Sequence, residues 1–131
     1  MYTELILGVS LKEDTPNDVI EALKYMIGEV DERPINFPLP EGRCDWLFRG
    51  ASCYFGINDP VNRMWYDGIS KSWNISTRSN IKNYYGEIEE FLKWIKPYVR
   101  KGSGNSNIYA ITIYEEDDEP IIYCLGESQT Y

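Results

Sequence analysis

A chain of 131 residues with net charge −8, of which 43% are hydrophobic and 26% charged, is long enough for one domain and too short for two ordinary ones. The acidic balance excludes general coating of free nucleic acid, because non-specific affinity for phosphate backbones comes from net positive charge. The longest apolar runs fall short of a membrane span and the first residues alternate instead of forming a signal-peptide block, so a soluble, unprocessed cytoplasmic protein without a membrane partner is expected.

Leu5, Leu7, Val9 and Leu11 recur with period two, opposite Glu4, Ser10 and Lys12, and predict a first strand with one core face. Thr15 followed by Pro16 reads as an N-cap and first helical position, and Val19, Ile20, Leu23, Met26 and Ile27 form an apolar stripe that Gly28 stops, predicting a helix over 16–27. Pro34, Pro38 and Pro40 make 29–42 an extended surface connection. Alternation over 47–55 predicts a second strand, with Leu47, Arg49, Ala51, Cys53 and Phe55 on one face. The stretch 57–70, with Pro60, Gly68 and the pair Trp65 and Tyr66, reads as a binding or oligomer loop.

A third strand is expected over 72–81, where Trp73, Ile75, Thr77 and Ile81 point one way and Asn74, Ser76, Arg78 and Asn80 the other, the polar side being a candidate ligand face. Asn83 is placed to cap a second helix with the stripe Ile88, Phe91, Leu92 and Ile95, limited by Pro97. Strands over 108–114 and 120–125 follow, joined by the acidic tip 115–119. The order β-α-β-β-α-β-β predicts a single α+β domain over 1–131, most simply a ferredoxin-like mixed antiparallel sheet with two helices on one face, extended by one hairpin strand.

Charge is distributed unevenly along this plan. Between Gly42 and Tyr85 lie Arg43, Arg49, Arg63, Lys71, Arg78 and Lys82 against Asp45, Asp59 and Asp67, so this segment is positive inside an acidic chain. It is also aromatic, with Trp46, Phe48, Tyr54, Phe55, Trp65, Tyr66 and Trp73 among the basic residues. Arginine offers a planar, permanently charged fork that matches phosphate or carboxylate, and aromatic faces offer a stacking platform. The competing reading of Arg49 and Arg78 is salt bridges with the many carboxylates, and that of Trp65 and Tyr66 is a subunit interface.

Histidine is absent, which removes Ser-His and Cys-His dyads and histidine metal sites; no catalytic residue, cofactor or metal is expected. Cys44, Cys53 and Cys124 lack CxxC spacing and read as free thiols, with Cys53 a small buried hydrophobe. The run 115–119 reads as a solvated hairpin tip, since it lacks the spacing of a calcium loop.

The segments LKEDTPNDVIEALKYM, RCDW with the following SCYF, RSNIKNYYGEIEEFLKWIKPY and YEEDDEPIIY together resemble a recurring group of small, mostly uncharacterised proteins of bacteriophages and their hosts. The resemblance covers most of the chain and brings no catalytic residues with it. It implies a compact accessory protein that counters a bacterial defence system, and favours binding, sequestration or inhibition over metabolism.

The leading expectation is therefore a homo-oligomeric accessory protein of the host cytoplasm that binds and sequesters a small phosphorylated or nucleotide-like signal without cleaving it. Arg49, Arg78, Arg63 and Lys82 would neutralise phosphate, and Tyr54, Trp65 and Trp46 would stack on the ligand or close the site. A second reading is an acidic inhibitor, a nucleic-acid mimic in the manner of anti-CRISPR proteins, whose tip at 115–119 occupies the basic groove of a host defence enzyme. A third is a phosphodiesterase in which Asp45, Asp59 and Asp67 hold Mg²⁺.

Overall fold

The computed structural model describes residues 2–40, 42–50, 62–101 and 107–125, so Cys53, Tyr54 and Asp59 lie outside the described residues. Strand β1 (Thr3–Ser10) is central, flanked by β3 (Ser72–Ile81) on one side and β4 (Ile108–Tyr114) on the other. Strand β2 (Arg63–Asp67) forms the edge beyond β3 and β5 (Ile121–Cys124) the edge beyond β4, giving the order β2-β3-β1-β4-β5. Every pairing is antiparallel, which corrects the mixed sheet expected from sequence. The α+β class, the two helices and the strands β1, β3, β4 and β5 are as predicted.

Register explains the two faces. Leu5 pairs with Ser79, Leu7 with Thr77 and Val9 with Ile75, so these residues share one side with Thr112 and Ala110 of β4 and Met64 of β2. These residues are all buried, and the larger apolar ones join the core, while Tyr66 at the β2 edge of the same side is exposed. The other side carries Ile6, Gly8 and Ser10 beside Arg78, Ser76 and Asn74, together with Glu4, which is buried. The predicted split of β3 into apolar and polar faces holds, because a period of two admits only one core face.

Helix α1 (Asn17–Ile27) lays Val19, Ile20, Leu23 and Met26 on the core side. Gly28 takes φ +90, a conformation costly for any residue with a Cβ, and lets its N–H reach Tyr25 O at 3.1 Å while Glu29 N–H reaches Lys24 O at 2.9 Å. The start is one residue later than expected. Pro16 is the N-cap, and Thr15 Oγ1 donates back to Lys12 O at 2.6 Å instead of capping the helix. Helix α2 (Glu87–Ile95) buries Ile88, Phe91, Leu92 and Ile95. Asn83 does serve its start, since its Oδ1 accepts the Ile88 N–H at 2.9 Å across the left-handed Gly86. No described helix is long and apolar enough to cross a membrane.

Two expected segments differ. The strand predicted over 47–55 is, in its described part, a turn: Arg43–Trp46 is a short 3-10 helix, and the same three-residue hydrogen bonds continue from Leu47 N to Cys44 O and from Arg49 N to Trp46 O. Leu47 and Phe48 are both fully buried, which adjacent residues of a strand with one core face cannot be. The loop predicted over 57–70 contains β2, whose Met64 and Tyr66 pair with Ile75 and Trp73. A five-residue strand with charged ends carries too little alternation to declare itself, and the adjacent long strand supplies its hydrogen bonds.

The turn is fastened from both sides. Phe48 meets Phe91 of α2 edge-on at 4.9 Å. A Cβ on Gly50 would meet Asn80 O and Ser79 Oγ at 2.9 Å, so only glycine permits this approach to β3. Asn62 Nδ2 donates to Phe48 O, and its Oδ1 accepts the Arg78 N–H at 3.1 Å.

Candidate functional site

The turn after Gly42 decides which basic residues meet. In a 3-10 geometry residues three apart stand over one another, so Arg43, Trp46 and Arg49 share one face while Cys44 with Leu47 and Asp45 with Phe48 share the buried ones. Trp46 is 60% exposed beside fully buried neighbours, an arrangement held by the core beneath it. Tyr2, just before β1, and Lys82, just after β3, bring the sheet end to the same place. Together with Gly50 and Asn80 these residues enclose a cleft of about 310 Å³.

Each cation in the cleft lies over an aromatic ring. The Arg49 guanidinium is 4.7 Å from the Trp46 ring centre and 5.2 Å from that of Tyr25. Lys82 Nζ is 5.7 Å from the Tyr2 ring, and Arg43 is 5.1 Å from Tyr84 and 5.8 Å from Tyr85. Arg49 Nη2 donates to Tyr25 O in the last turn of α1, where the carbonyl end of the helix favours a cation. Arg43 faces one carboxylate, Glu87, at 3.4 Å, and the Glu87 Oε1 atom accepts the Tyr85 N–H at 3.0 Å. Lys82 has no ion-pair partner among the described residues.

Below the cleft, buried Asp45 accepts hydrogen bonds at Oδ2 from Arg33 Nε at 2.7 Å and from the Tyr25 hydroxyl at 3.0 Å. Burial first, and then the bond to Asp45, raises the Tyr25 pKa above its ordinary value. The Asp45–Tyr25 bond therefore orients the ring on which Arg49 stacks. Burial and the nearby Glu87, Asp45 and Glu90 push the Cys44 thiol up to about 11, so it is protonated at neutral pH.

Of the residues predicted from sequence, the structure brings Trp46, Arg49 and Lys82 together. Arg63 and Trp65 form a separate pair on β2, stacked at 4.5 Å, and Trp65 lines a different cleft. Arg78 is exposed on β3, opposite Ile6 of β1 on the side away from the helices. Tyr54 lies outside the described residues. Arg43 and Tyr2 join the site without having been singled out; the period of three in R-x-x-W-x-x-R was the signal for Arg43, hidden by reading the segment with period two.

The carboxylates named for Mg²⁺ are differently engaged. Asp45 is buried under Arg33 and Tyr25, while Asp67 accepts from Ile69 N at 2.9 Å and Ser70 Oγ at 3.0 Å in the β2–β3 turn. Among the described residues no group of three or more His, Cys, Asp or Glu side chains is placed to hold a metal ion. The tip at 115–119 is exposed throughout, and Glu115 Oε1 accepts the Tyr2 N–H at 2.9 Å. Comparison with protein-family models, curated proteins and solved structures gives no match, so no family is assigned.

Proposed function

We propose that the cleft formed by Arg43, Trp46, Arg49 and Lys82 binds a small phosphorylated or nucleotide-like anion, and that the protein sequesters this ligand without cleaving it. The observation that carries the reading is the convergence of three cations, each laid over an aromatic ring, from sequence positions as far apart as Arg43 and Lys82. Stacked guanidinium groups are held with little remaining freedom and so lose less on meeting an anion. The volume of about 310 Å³ lies at the low end of the range for small-molecule sites, which suits a mononucleotide better than a larger ligand. Trp46 presents an open face for a base, and Arg49 Nη1 and Lys82 Nζ are the donors for phosphate.

In the setting that the resemblance to small phage and host proteins implies, the proposal is an anti-defence function in the host cytoplasm with a homo-oligomer as the working form. The connectivity is taken as a ferredoxin-like plan with β5 added beside β4. The acidic-inhibitor reading keeps one observation in its favour, the exposure of the tip at 115–119, and predicts that charge reversal there abolishes partner inhibition while leaving nucleotide binding intact.

Calorimetric titration with a panel of linear and cyclic nucleotides, followed by mass spectrometry of ligand recovered after denaturation, tests the proposal. Saturable binding at micromolar protein, intact recovered ligand, and a roughly ten- to hundredfold loss of affinity in Arg49→Ala are expected, the loss of one charge-assisted hydrogen bond. Absence of binding to every nucleotide, or recovery of a cleaved product, overturns it.

A further inference from the structure

We propose a second ligand site, independent of the Arg49 cleft, on the sheet face turned away from the helices: a cleft of about 480 Å³ over Gly8 that takes a phosphorylated pentose, free or as part of a nucleotide. The fold does not require a glycine at position 8. Gly8 lies within the central strand β1, is exposed, and pairs with Ser76. Its φ is outside the left-handed region, unlike those of Gly28, Gly42 and Gly86, and no described atom lies within 4 Å of the position a Cβ would occupy. Gly50 is glycine because backbone sits where its Cβ would go; Gly8 has no such reason. A glycine inside a strand weakens it, and one with open space above it marks a place where something other than the chain approaches.

The walls of that space have a consistent chemistry. Arg100 and Lys101 line it, and none of the described lining residues is Asp or Glu, in a chain that carries 21 of them. Ser10 Oγ donates to Asn74 Oδ1 on the floor. Asn107 Oδ1 is buried with no hydrogen-bond partner among the described residues, an unsatisfied acceptor in a residue of the cleft wall. Trp65, held by its stack with Arg63, lines the cleft and offers an apolar surface for the C–H face of a sugar ring. Cations for the phosphate, amide and hydroxyl groups for the ring hydroxyls, and an indole for the ring face fit a phosphorylated pentose better than a bare anion or an apolar ligand.

Titration of the full chain with ribose 5-phosphate, AMP and inorganic phosphate tests the site, using Gly8→Val, Lys101→Glu and Arg49→Ala proteins. Ribose 5-phosphate is expected to bind saturably and more tightly than inorganic phosphate. Gly8→Val should keep or raise the melting temperature while weakening that binding at least tenfold, Lys101→Glu should weaken it as well, and Arg49→Ala should leave it unchanged. AMP that binds more tightly than ribose 5-phosphate and loses that binding in Gly8→Val identifies a nucleotide as the source of the pentose phosphate. AMP binding lost only in Arg49→Ala belongs to the other cleft and counts against this one. No saturable binding of ribose 5-phosphate, equal binding of inorganic phosphate, or binding indifferent to Lys101→Glu overturns the proposal. So does a lowered melting temperature in Gly8→Val, which would return the glycine to the fold.

Discussion

On the helix-covered side of the sheet Leu5, Leu7 and Val9 are at most 7% exposed, whereas Ile6, Gly8 and Ser10, their neighbours in the same strand, are half-buried or exposed. The covered side admits charge only with partners. Asp45 is closed by Arg33 and Tyr25, and Glu87 by Arg43 and the Tyr85 N–H. On the open side Arg78 and Ser76 are exposed and Asn74 is half-buried. The cations of the candidate site belong to neither regime: Arg43 and Arg49 root in the packed layer and reach out of it. A charged group anchored in this way is held in place by the core yet remains able to meet an anion, so the contrast between the faces locates function at their boundary.

Emptying the covered side should have the largest effect. Phe91 is fully buried against Phe48, so Phe91→Ala should cost about 3–5 kcal/mol in urea unfolding. Because Phe48 belongs to the turn that carries Arg49, nucleotide affinity should fall with it. A cost below about 1 kcal/mol would mean that the turn is not seated on α2.

Removing a partnered charge should cost less. Asp45→Ala leaves the Tyr25 hydroxyl and the Arg33 Nε without their acceptor, a loss of roughly 1–3 kcal/mol. The Tyr25 pKa, followed by ultraviolet titration, should move down toward its ordinary value as the bond to Asp45 disappears, although burial still holds it up. An unchanged titration would show that Asp45 does not touch this ring.

Cys44 supplies a pH test of the same layer. Its folded pKa, near 11, lies above the value of 9.0 for a free thiol, so between these values the folded state holds a proton that the unfolded state has released. Stability from this group is fully present below about pH 9 and declines as the pH rises toward 11. The melting temperature should fall over that window, and fall less in Cys44→Ala. The native thiol should also resist alkylation at pH 8; rapid labelling of Cys44 would contradict its burial.

The smallest effect is expected at the β2 edge. Asp67 accepts from the Ile69 N–H and the Ser70 hydroxyl, which hold its pKa below the ordinary 3.8. Its contribution is present above the unfolded pKa and is lost as the pH falls through the depressed folded value. Asp67→Asn should therefore reduce the acid sensitivity of the melting temperature slightly and leave neutral stability nearly unchanged. A large loss at neutral pH would place more weight on this turn than an exposed hairpin carries.

What the sequence determined by itself is whatever repeats over many residues within one element. The alternation of Leu5, Leu7 and Val9, the split of Ser72–Ile81 into Ile75 and Thr77 against Ser76 and Arg78, and the stripes of both helices were legible because burial on one side imposes a period that local order alone reveals. The identity of Arg49 and Lys82 as candidates was legible too, from the company of Trp46. Their meeting was not. Lys82 reaches Arg49 only because β3 ends beside the turn, and Arg78, equally basic, points to the open face through the register of β3 on β1. The turn itself escaped a reading with period two because Cys44, Leu47 and Phe48 are all drawn into a core completed by α2, and that demand imposes a period of three. Strand β2 escaped because five residues become a strand only when a neighbour offers its hydrogen bonds. Tertiary structure decided these points, since each depends on a partner distant in the chain whose packing outweighs local preference.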